Sequence, residues 1–215
     1  MCRLCIKEWI PAVAANREMF RLGKGETIFK EGETVTGIYF IYEGAVKVHK
    51  KWDNEKELIV RFAREGDIVG HRGLGTDLLY PVTATALEDI TVCFISLEFF
   101  QASLRVNYDF LFELMMFYAS ELKESEKNMR NLAHMPVKGR IAHALLTLHD
   151  RFGTDNNGFI KLTISRQDLA SFAGTTYETT FRILLDLVKE EMIQVSAKDI
   201  MIVNKMGMQE LATSS

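Results

Sequence analysis

Glu178 and Arg182 lie four positions apart in YETTFRILLDLVKEE, a segment whose apolar residues recur at helical spacing. On a helix, residues at i and i+4 project from the same face. A glutamate carboxylate can accept a hydrogen bond from cytosine N4, and an arginine guanidinium can donate two to guanine O6 and N7. By composition alone, the same pair is more often a solvated surface pair. The elements around the two residues must decide between these interpretations.

The remaining reactive residues form no catalytic or metal-binding pattern. The five histidines are scattered along the chain and include no H-x-H pair, whereas metal-dependent enzymes on jelly rolls cluster histidines and carboxylates. The sequence also contains no phosphate-binding glycine loop and no nucleophile motif. We therefore expect a protein that is not an enzyme and has no clustered histidine metal site.

The composition is that of a globular protein with one large domain or two modest ones in 215 residues. No uncharged apolar run reaches the roughly 18 residues that a transmembrane helix needs, so we expect no membrane association. Charged residues near the N-terminus argue against a signal peptide. Three cysteines cannot form a disulfide framework, which indicates a reducing, cytoplasmic setting.

The first half of the chain is predicted to be mostly strand. Short apolar runs alternate with glycine turns from about Arg21 to Ile95, and the turns recur at roughly ten-residue spacing. The period-two alternation typical of strands occurs in GIYFIY (37–42), AVKVHK (45–50), ELIVRFA (57–63) and ITVCFIS (90–96). This pattern favours an antiparallel sandwich or jelly roll.

A long helical segment follows, because no Gly or Pro occurs from Leu97 to Met135. Seven of its residues alternate in spacing between four and three, which is the a/d seam of a coiled coil: Leu111, Met115, Tyr118, Leu122, Ser125, Met129 and Leu132. Charged residues such as Glu121 and Lys123 are assigned to the outer face. The seam predicts a two-helix dimer interface; a helix packed on its own domain is the alternative.

The last third of the chain begins at Pro136, which is expected to end the long helix and open the next one, PVKGRIAHALLTLHDRFG. A loop, GTDNNG (153–158), precedes a predicted strand, FIKLTI, that ends at Ser165. Two further helices are predicted in SRQDLASFAG and TTYETTFRILLDLVKEE, with Gly174 between them. Two short strands about a turn complete a winged helix-turn-helix.

Local capping patterns support these two helices. Capping boxes are predicted at Ser165–Asp168 and at Thr175–Glu178. One face of the second helix is predicted to be apolar and to contain Phe181, Leu184, Leu185 and Val188.

Several motifs in this order and spacing resemble those of the Crp/Fnr family of bacterial transcription regulators. They are KGETIFKEGE (24–33), IYEGAVKV (41–48), EGDIVG (65–70), the long helix, PVKGRIA (136–142) and ISRQDLASFAGTTYETTFRILLDL (164–187). The resemblance implies an α+β fold. It consists of a cyclic-nucleotide-binding-like jelly-roll sensor (1–107), a dimerisation helix (108–135) and a winged helix-turn-helix DNA-binding domain (136–215).

The resemblance also implies which residues contact DNA. Glu178 and Arg182 match the family's base readers, which outweighs the surface-pair interpretation. Tyr177 stands where the catabolite activator has Arg, and Phe181 where relatives usually have a small residue, so we expect a different half-site. The candidate DNA-binding residues are Ser165, Arg166, Gln167, Thr175, Thr176, Tyr177, Glu178, Thr179, Arg182 and Lys198.

The charge balance gives little support to DNA binding. Residues 136–215 contain 9 basic and 9 acidic residues, and the whole chain has a net charge of -3. Composition alone would argue mildly against a nucleic-acid binder. The helix-turn-helix motif is the more specific signal, so we still predict DNA binding. With few cationic contacts for each half-site, non-specific DNA binding is expected to be weak.

The family's cyclic-AMP pocket needs a Glu after the GD-x-x-G turn and an Arg-Ser pair before the next strand. Here His71 and Arg72 follow GDIVG, and Tyr80 and Pro81 replace Arg-Ser, so cyclic AMP is not the expected effector. A different anion at His71 and Arg72 is one interpretation, and a solvated surface turn is the other. Ser125 matches the activator's purine-contacting Thr or is a polar seam residue that fixes register. The candidate effector pocket is His71, Arg72, Thr83 and Ser125.

The three cysteines suggest an iron–sulfur cluster as a second possible sensing site. The fumarate-nitrate branch of the family holds an iron–sulfur cluster on an N-terminal cysteine group and one distant cysteine, and Cys2, Cys5 and Cys93 match those places. Such clusters normally take four cysteines, and this chain has three. The alternative is a core cysteine at 93 with two incidental thiols, and no cofactor.

These observations predict a homodimeric regulator that binds a roughly palindromic site on double-stranded DNA and, as an activator, would contact RNA polymerase. The alternative is a cyclic-nucleotide or redox (iron–sulfur or heme) responsive module that acts through a protein partner. That module would not need the helix-turn-helix, so the segment from Ser165 to Glu191 discriminates between the two.

Overall fold

The computed structural model describes residues 5–51 and 56–213, which form two units. The first unit lies within Met1–Lys50 and Val60–Ser125, and the second within Lys51–Ile59 and Glu126–Ser215. The first is built mainly from strands and the second mainly from helices. This confirms the predicted α+β class.

The first unit contains two four-stranded sheets. Its strands are β1 (Arg17–Leu22), β2 (Thr27–Phe29), β3 (Gly37–Glu43), β4 (Val46–Lys51), β5 (Glu57–Ala63), β6 (Ile68–Val69), β7 (Thr83–Ala86) and β8 (Ile90–Ser96). One sheet has the order β1-β8-β3-β6 and the other β2-β7-β4-β5. The pairs β1–β8, β3–β8, β3–β6, β2–β7 and β4–β7 are antiparallel, as the predicted sandwich requires.

Alternating side chains of both sheets form the core between them. In β4, Val46 and Val48 are buried, while Lys47 between them is partly exposed. Ile41 of β3 and Val92 of β8 are buried in the same cluster. The strand pattern read from the sequence therefore identifies the inward-facing residues.

Three helices pack on one side of the β1-β8-β3-β6 sheet: α1 (Ile10–Asn16), α2 (Leu97–Val106) and the first part of α3 (Tyr108–His134). Phe100 of α2 and Phe110 of α3 meet edge to face, with ring centroids 5.7 Å apart. Both rings lie in one buried cluster with Ile38 and Ile95 of the sheet. This second core fixes the start of the long helix on the β sandwich.

The predicted helix from Leu97 to Met135 is interrupted at Asn107, whose backbone leaves helical geometry (φ −118°, ψ 88°). Its buried side chain donates to the Ser103 carbonyl at 2.8 Å and accepts from the Ile6 N–H at 2.8 Å. An Asn side chain that bonds local backbone competes with the helical ladder. The absence of Gly and Pro therefore did not predict this break.

The second unit contains α4 (Val137–Phe152), α5 (Arg166–Ala173), α6 (Tyr177–Lys189), β9 (Ile193–Ser196), β10 (Asp199–Ile202) and α7 (Lys205–Leu211), together with the end of α3. Pro136 precedes α4 as its N-cap, as expected. β9 and β10 form an antiparallel hairpin. No helix within the described residues is long and apolar enough to span a membrane.

Two local predictions in the second unit are wrong. FIKLTI forms single bridges, Thr154 to Ile160 and Phe159 to Met201, rather than a strand, because the backbone bends at residues 161–162. The second helix is capped by Thr176 rather than Thr175: the Thr176 hydroxyl accepts from the Thr179 N–H at 3.2 Å. The Thr175 N–H instead donates to the Ala170 carbonyl at the end of α5.

The predicted apolar face of α6 is present, but most of it is exposed. Its buried residues are Thr180, Ile183, Leu184 and Leu187, and of the predicted set only Leu184 is among them. Phe181, Leu185 and Val188 are exposed. The helix therefore has two apolar stripes, one buried and one exposed, and the sequence pattern identified the exposed one.

Candidate nucleic-acid interface and sensor cluster

Glu178 and Arg182 are exposed on the first two turns of α6. The turn before α6 depends on Gly174, which adopts the left-handed conformation (φ 62°) and caps α5. A Cβ atom at Gly174 would lie 2.4 Å from Leu132 Cδ2, so the residue also permits close approach of the end of α3. Helix, glycine turn and helix together present the two side chains to solvent, as a major-groove reader requires.

The residues predicted to hold the DNA backbone lie around this helix start. Ser165 caps α5 by accepting from the Asp168 N–H at 2.9 Å, and Thr176 caps α6. Both caps, Gln167 and Lys198 are exposed, whereas Thr175 and Thr179 are half-buried. Side chains of these types and helix starts are common contacts to a phosphate backbone.

Arg166 ties the wing to the helix-turn-helix. Its guanidinium donates to the carbonyls of Lys198 and Ala197, both at 3.3 Å, in the turn between β9 and β10. Burial lowers the pKa of Arg166, and nearby Tyr177 and Asp199 oppose that effect. The residue therefore positions the wing turn next to the start of α5.

The predicted dimer seam runs along α3. Its residues Leu111, Met115, Leu122, Met129 and Leu132 are exposed in the single chain, and Leu122 keeps 61% of its surface in contact with solvent. Tyr118 and Ser125 are half-buried. Tyr118 instead faces the β domain, where its hydroxyl donates to the His71 carbonyl at 2.5 Å.

A charged cluster occupies the place predicted for the effector. His71 is only 3% exposed. Glu121 of α3 pairs with Arg72 at 3.0 Å and with Arg61 of β5 at 3.6 Å, and its carboxylate lies 3.9 Å from His71 Nε2. The Arg61 guanidinium also lies 5.3 Å from the centre of the Phe117 ring. The interpretation of residues 71 and 72 as a solvated surface turn is therefore wrong for His71.

The other two candidate effector residues make none of these ion pairs. The Thr83 hydroxyl accepts from the Glu31 N–H at 3.0 Å. Ser125 lies one helical turn after Glu121, at the end of the first unit. Tyr80, which the sequence motifs predict to stand at the family's pocket arginine, is buried, stacks on Phe29 with ring centroids 4.1 Å apart, and donates to the Gly37 carbonyl at 2.8 Å.

Both the N-terminal and the C-terminal part of the chain match known protein families. Residues 19–107 match the Cyclic nucleotide-binding domain family, and residues 139–211 match the Crp-like helix-turn-helix domain family. The cAMP-activated global transcriptional regulator CRP of Salmonella typhimurium is 33% identical over 182 residues, covering 82% of this chain and 85% of the relative. The chain belongs to the Crp/Fnr family. It is a transcription regulator with a DNA-binding helix-turn-helix, as the sequence motifs implied.

One further relative and one solved structure are similar over most of the chain. The transcriptional activator protein FnrA of Stutzerimonas stutzeri is 29% identical over 194 residues, which cover 89% of this chain and 79% of the relative. The structure of FixK2 from Bradyrhizobium japonicum has a TM-score of 0.83 at 24% identity and covers 93% of this chain and 98% of that one. CRP and FnrA are transcription regulators rather than enzymes, which confirms the expectation that this chain is not an enzyme.

The cysteine set does not fit the four-thiolate cluster implied by the fumarate-nitrate branch of the Crp/Fnr family. Cys5 and Cys93 are half-buried and pack against the same apolar cluster, and Cys2 lies outside the described residues. Within residues 5–51 and 56–213, no group of three or more His, Cys, Asp or Glu side chains could hold a metal ion. The whole sequence contains three cysteines, one fewer than such clusters normally bind.

Sequence reasoning missed Glu121 and Arg61, two members of the charged cluster in this Crp/Fnr protein. Glu121 was assigned to the solvated outer face of α3, but its side chain is 20% exposed and pairs with two arginines. Arg61 lies in an apolar strand, ELIVRFA, and is buried. A lone charge at an inward position of a strand is the signal that a partner must exist, but it does not say which residue supplies it.

The buried His71 predicts a pH dependence of stability. Burial lowers its pKa to about 3, with the charges of Arg61 and Arg72 acting in the same direction. In the unfolded chain the pKa of this histidine is near 6.5. Between about pH 3 and pH 6.5 the unfolded chain therefore binds a proton that the folded chain does not bind. Acidification from about pH 6.5 towards pH 3 should therefore lower the free energy of unfolding by up to about 1.4 kcal/mol per pH unit through this residue.

The measurement is urea unfolding at several pH values for the wild type and His71→Gln, with His134→Gln, at an exposed histidine, as the control. The His71 variant should have a shallower dependence on pH than the wild type, and the His134 variant should keep the wild-type slope. Equal slopes for the wild type and His71→Gln would contradict the assignment of a buried neutral imidazole.

Proposed function

We propose that this protein is a homodimeric regulator that binds a roughly palindromic DNA site through α6. The observation that carries the proposal is the exposure of Glu178 and Arg182 at the start of a helix that follows a glycine turn and is flanked by a wing. Base contacts in the major groove are made from such helix starts. A module acting only through a protein partner would have no use for this arrangement.

The exposed seam of α3 supports the dimer. Residues that repeat at a/d spacing and stay exposed in one chain become buried when two such helices pair. A two-fold axis along the paired helices relates the two recognition helices, so half-sites of inverted sequence about one helical turn apart would fit them.

The domain limits that we propose are 1–107 for the sensor, 108–135 for the dimer helix and 136–215 for DNA binding.

The effector that we infer is not cyclic AMP. The carboxylate that would bind a ribose hydroxyl is replaced by the buried His71, and Tyr80 fills the place of the phosphate-binding arginine. Both nearby arginines are paired with Glu121. A cyclic phosphate would therefore enter without an available charge partner, which is unfavourable in a buried site.

Thermal unfolding with and without cyclic AMP tests the effector assignment. We expect no shift in Tm at millimolar cyclic AMP, with nucleotide-free buffer of matched ionic strength as the control. Because a ligand at 100 times its Kd stabilises the folded state by about 2.7 kcal/mol, binding would be readily detected. A rise in Tm of several degrees that saturates with cyclic AMP would contradict the proposal.

In vitro transcription tests the regulatory role. A promoter that carries a DNA site selected by the protein, together with RNA polymerase, should give a several-fold change in transcript, and Arg182→Ala should remove it. An increase would identify an activator and a decrease a repressor. An unchanged transcript level at saturating protein, with the site placed upstream of the promoter and over it in turn, would contradict regulation.

A further inference from the structure

The recognition helix α6 has an exposed apolar stripe that neither the core nor the charged readers explain. Tyr177, Phe181, Leu185 and Val188 are spaced by four, four and three residues and are 49%, 49%, 48% and 40% exposed. The hydrophobic core of the second unit uses a different face of the same helix. An exposed apolar row on a major-groove helix therefore has to be accounted for by what the helix contacts.

The first two members of the stripe have nearly parallel rings. The rings of Tyr177 and Phe181 are stacked, with centroids 6.5 Å apart and an angle of 12° between their planes. Each ring limits the rotamers of the other, so the pair is held before any partner binds. A preformed aromatic surface loses little conformational entropy on contact.

The position of this pair relates it to the base readers. Tyr177 directly precedes Glu178, and Phe181 directly precedes Arg182, so the aromatic row lies about 100° around the helix from the charged row. Both rows lie within the first six residues of α6, which are the residues that approach base edges. Leu185 lies about 6 Å further along the helix axis than Phe181, since each residue adds about 1.5 Å.

The chemistry of the rings restricts what they can read. A phenyl ring neither donates to nor accepts from base edges in the manner of Glu178 or Arg182. The apolar group that DNA displays in the major groove is the 5-methyl group of thymine, and aromatic side chains are among those that contact it. Cytosine and uracil lack that methyl group.

We propose that Phe181, stacked on Tyr177, recognises a thymine through its 5-methyl group beside the base pair read by Glu178 and Arg182. This inference rests on the proposed function and adds a specificity-determining residue to it. It also gives a physical meaning to the two departures from the family pattern, because both replace a polar or small residue by an aromatic ring at the helix start.

The test replaces each thymine of a selected operator in turn by deoxyuridine, which removes the methyl group and keeps every hydrogen-bonding atom. Binding is measured by fluorescence anisotropy at one fixed salt concentration. At one position in each half-site, wild-type affinity should fall about fourfold, and about 15-fold when both half-sites are changed, from the transfer free energy of one buried carbon. Phe181→Ala should bind the thymine and uracil duplexes with equal affinity.

Leu185→Ala is the matched control, because it removes an exposed apolar side chain from the same helix beyond the groove-facing turns. It should keep the wild-type ratio between thymine and uracil duplexes. Tyr177→Phe should also keep the ratio, since the ring stack remains. Folding of Phe181→Ala is checked by its retained preference for guanine at the position read by Arg182.

The outcomes separate this inference from the proposed function. A wild-type protein that discriminates guanine but binds thymine and uracil duplexes equally at every position would overturn the role of Phe181 alone. A thymine preference that persists in Phe181→Ala would overturn it as well. A protein with no sequence preference at all would overturn both the thymine contact and the function on which it rests.

Discussion

Leu122→Lys is expected to convert the protein to a monomer and to abolish sequence-specific DNA binding. Leu122 is the central residue of the α3 seam and is 61% exposed in the single chain, so the substitution should leave the fold of the chain intact. In a dimer it would place two ammonium groups against each other at an apolar a position. Loss of the second half-site should weaken operator binding by about 100-fold or more, because covalent or dimeric linkage raises the effective concentration of the second site.

Ser120→Lys provides the control for this prediction. Ser120 is exposed, and its hydroxyl donates only along the helix to the Met116 carbonyl. It lies about 200° around the helix from Leu122, so the added lysine avoids the seam. Sedimentation equilibrium should find Ser120→Lys dimeric and Leu122→Lys monomeric at micromolar concentration. A dimeric Leu122→Lys protein with wild-type affinity would exclude α3 as the interface.

Arg182→Ala is expected to remove discrimination at one guanine in each half-site. A bidentate contact from Arg to guanine contributes about 1–3 kcal/mol of discrimination against the wrong base. Because Arg182 is exposed, the variant should retain the Tm of the wild type. Affinity for the selected operator should therefore fall, while affinity for the same operator changed at that guanine should change little.

Lys189→Ala is the matched variant for loss of a positive charge, since Lys189 is exposed in the last turn of the same helix. It should lower the affinity for every duplex slightly and equally, or not at all, without altering base preference. Anisotropy titrations against the operator and its single-base variants distinguish the two effects. A uniform loss of affinity by Arg182→Ala on every duplex, including random DNA, would identify a phosphate contact instead of a base contact.

The strands and the helix-turn-helix followed from local signals in the sequence. Period-two alternation located β3, β4, β5 and β8, and the sequence SRQDLASFAG correctly predicted a helix capped by Ser165 and ended by Gly174. These features depend on residues that are close in sequence, so the sequence pattern is sufficient to predict them. The choice of the inward face of α6 depended instead on α4 and α5, which pack against it, and hydrophobicity did not reveal that choice.

The charged cluster around Glu121 was less predictable for a similar reason. The replacement of a carboxylate by His71 was visible in the sequence, but Glu121 pairs with Arg61 and Arg72 of the β domain, which lie 60 and 49 residues before it. Neither Gly nor Pro signalled the break at Asn107, whose side chain bonds both the local Ser103 carbonyl and the N–H of Ile6, 101 residues away. Long-range polar contacts of this kind leave no periodic signal.

Selection of bound duplexes from a random library tests the central claim most directly. Wild-type protein should enrich an inverted repeat with centres about 10–10.5 base pairs apart, each half containing a C·G pair read by Glu178 and Arg182. The Leu122→Lys variant, run in parallel, should enrich no such repeat. Failure of the wild type to enrich any inverted repeat, at low and physiological salt alike, would contradict the account of a dimeric, sequence-specific regulator.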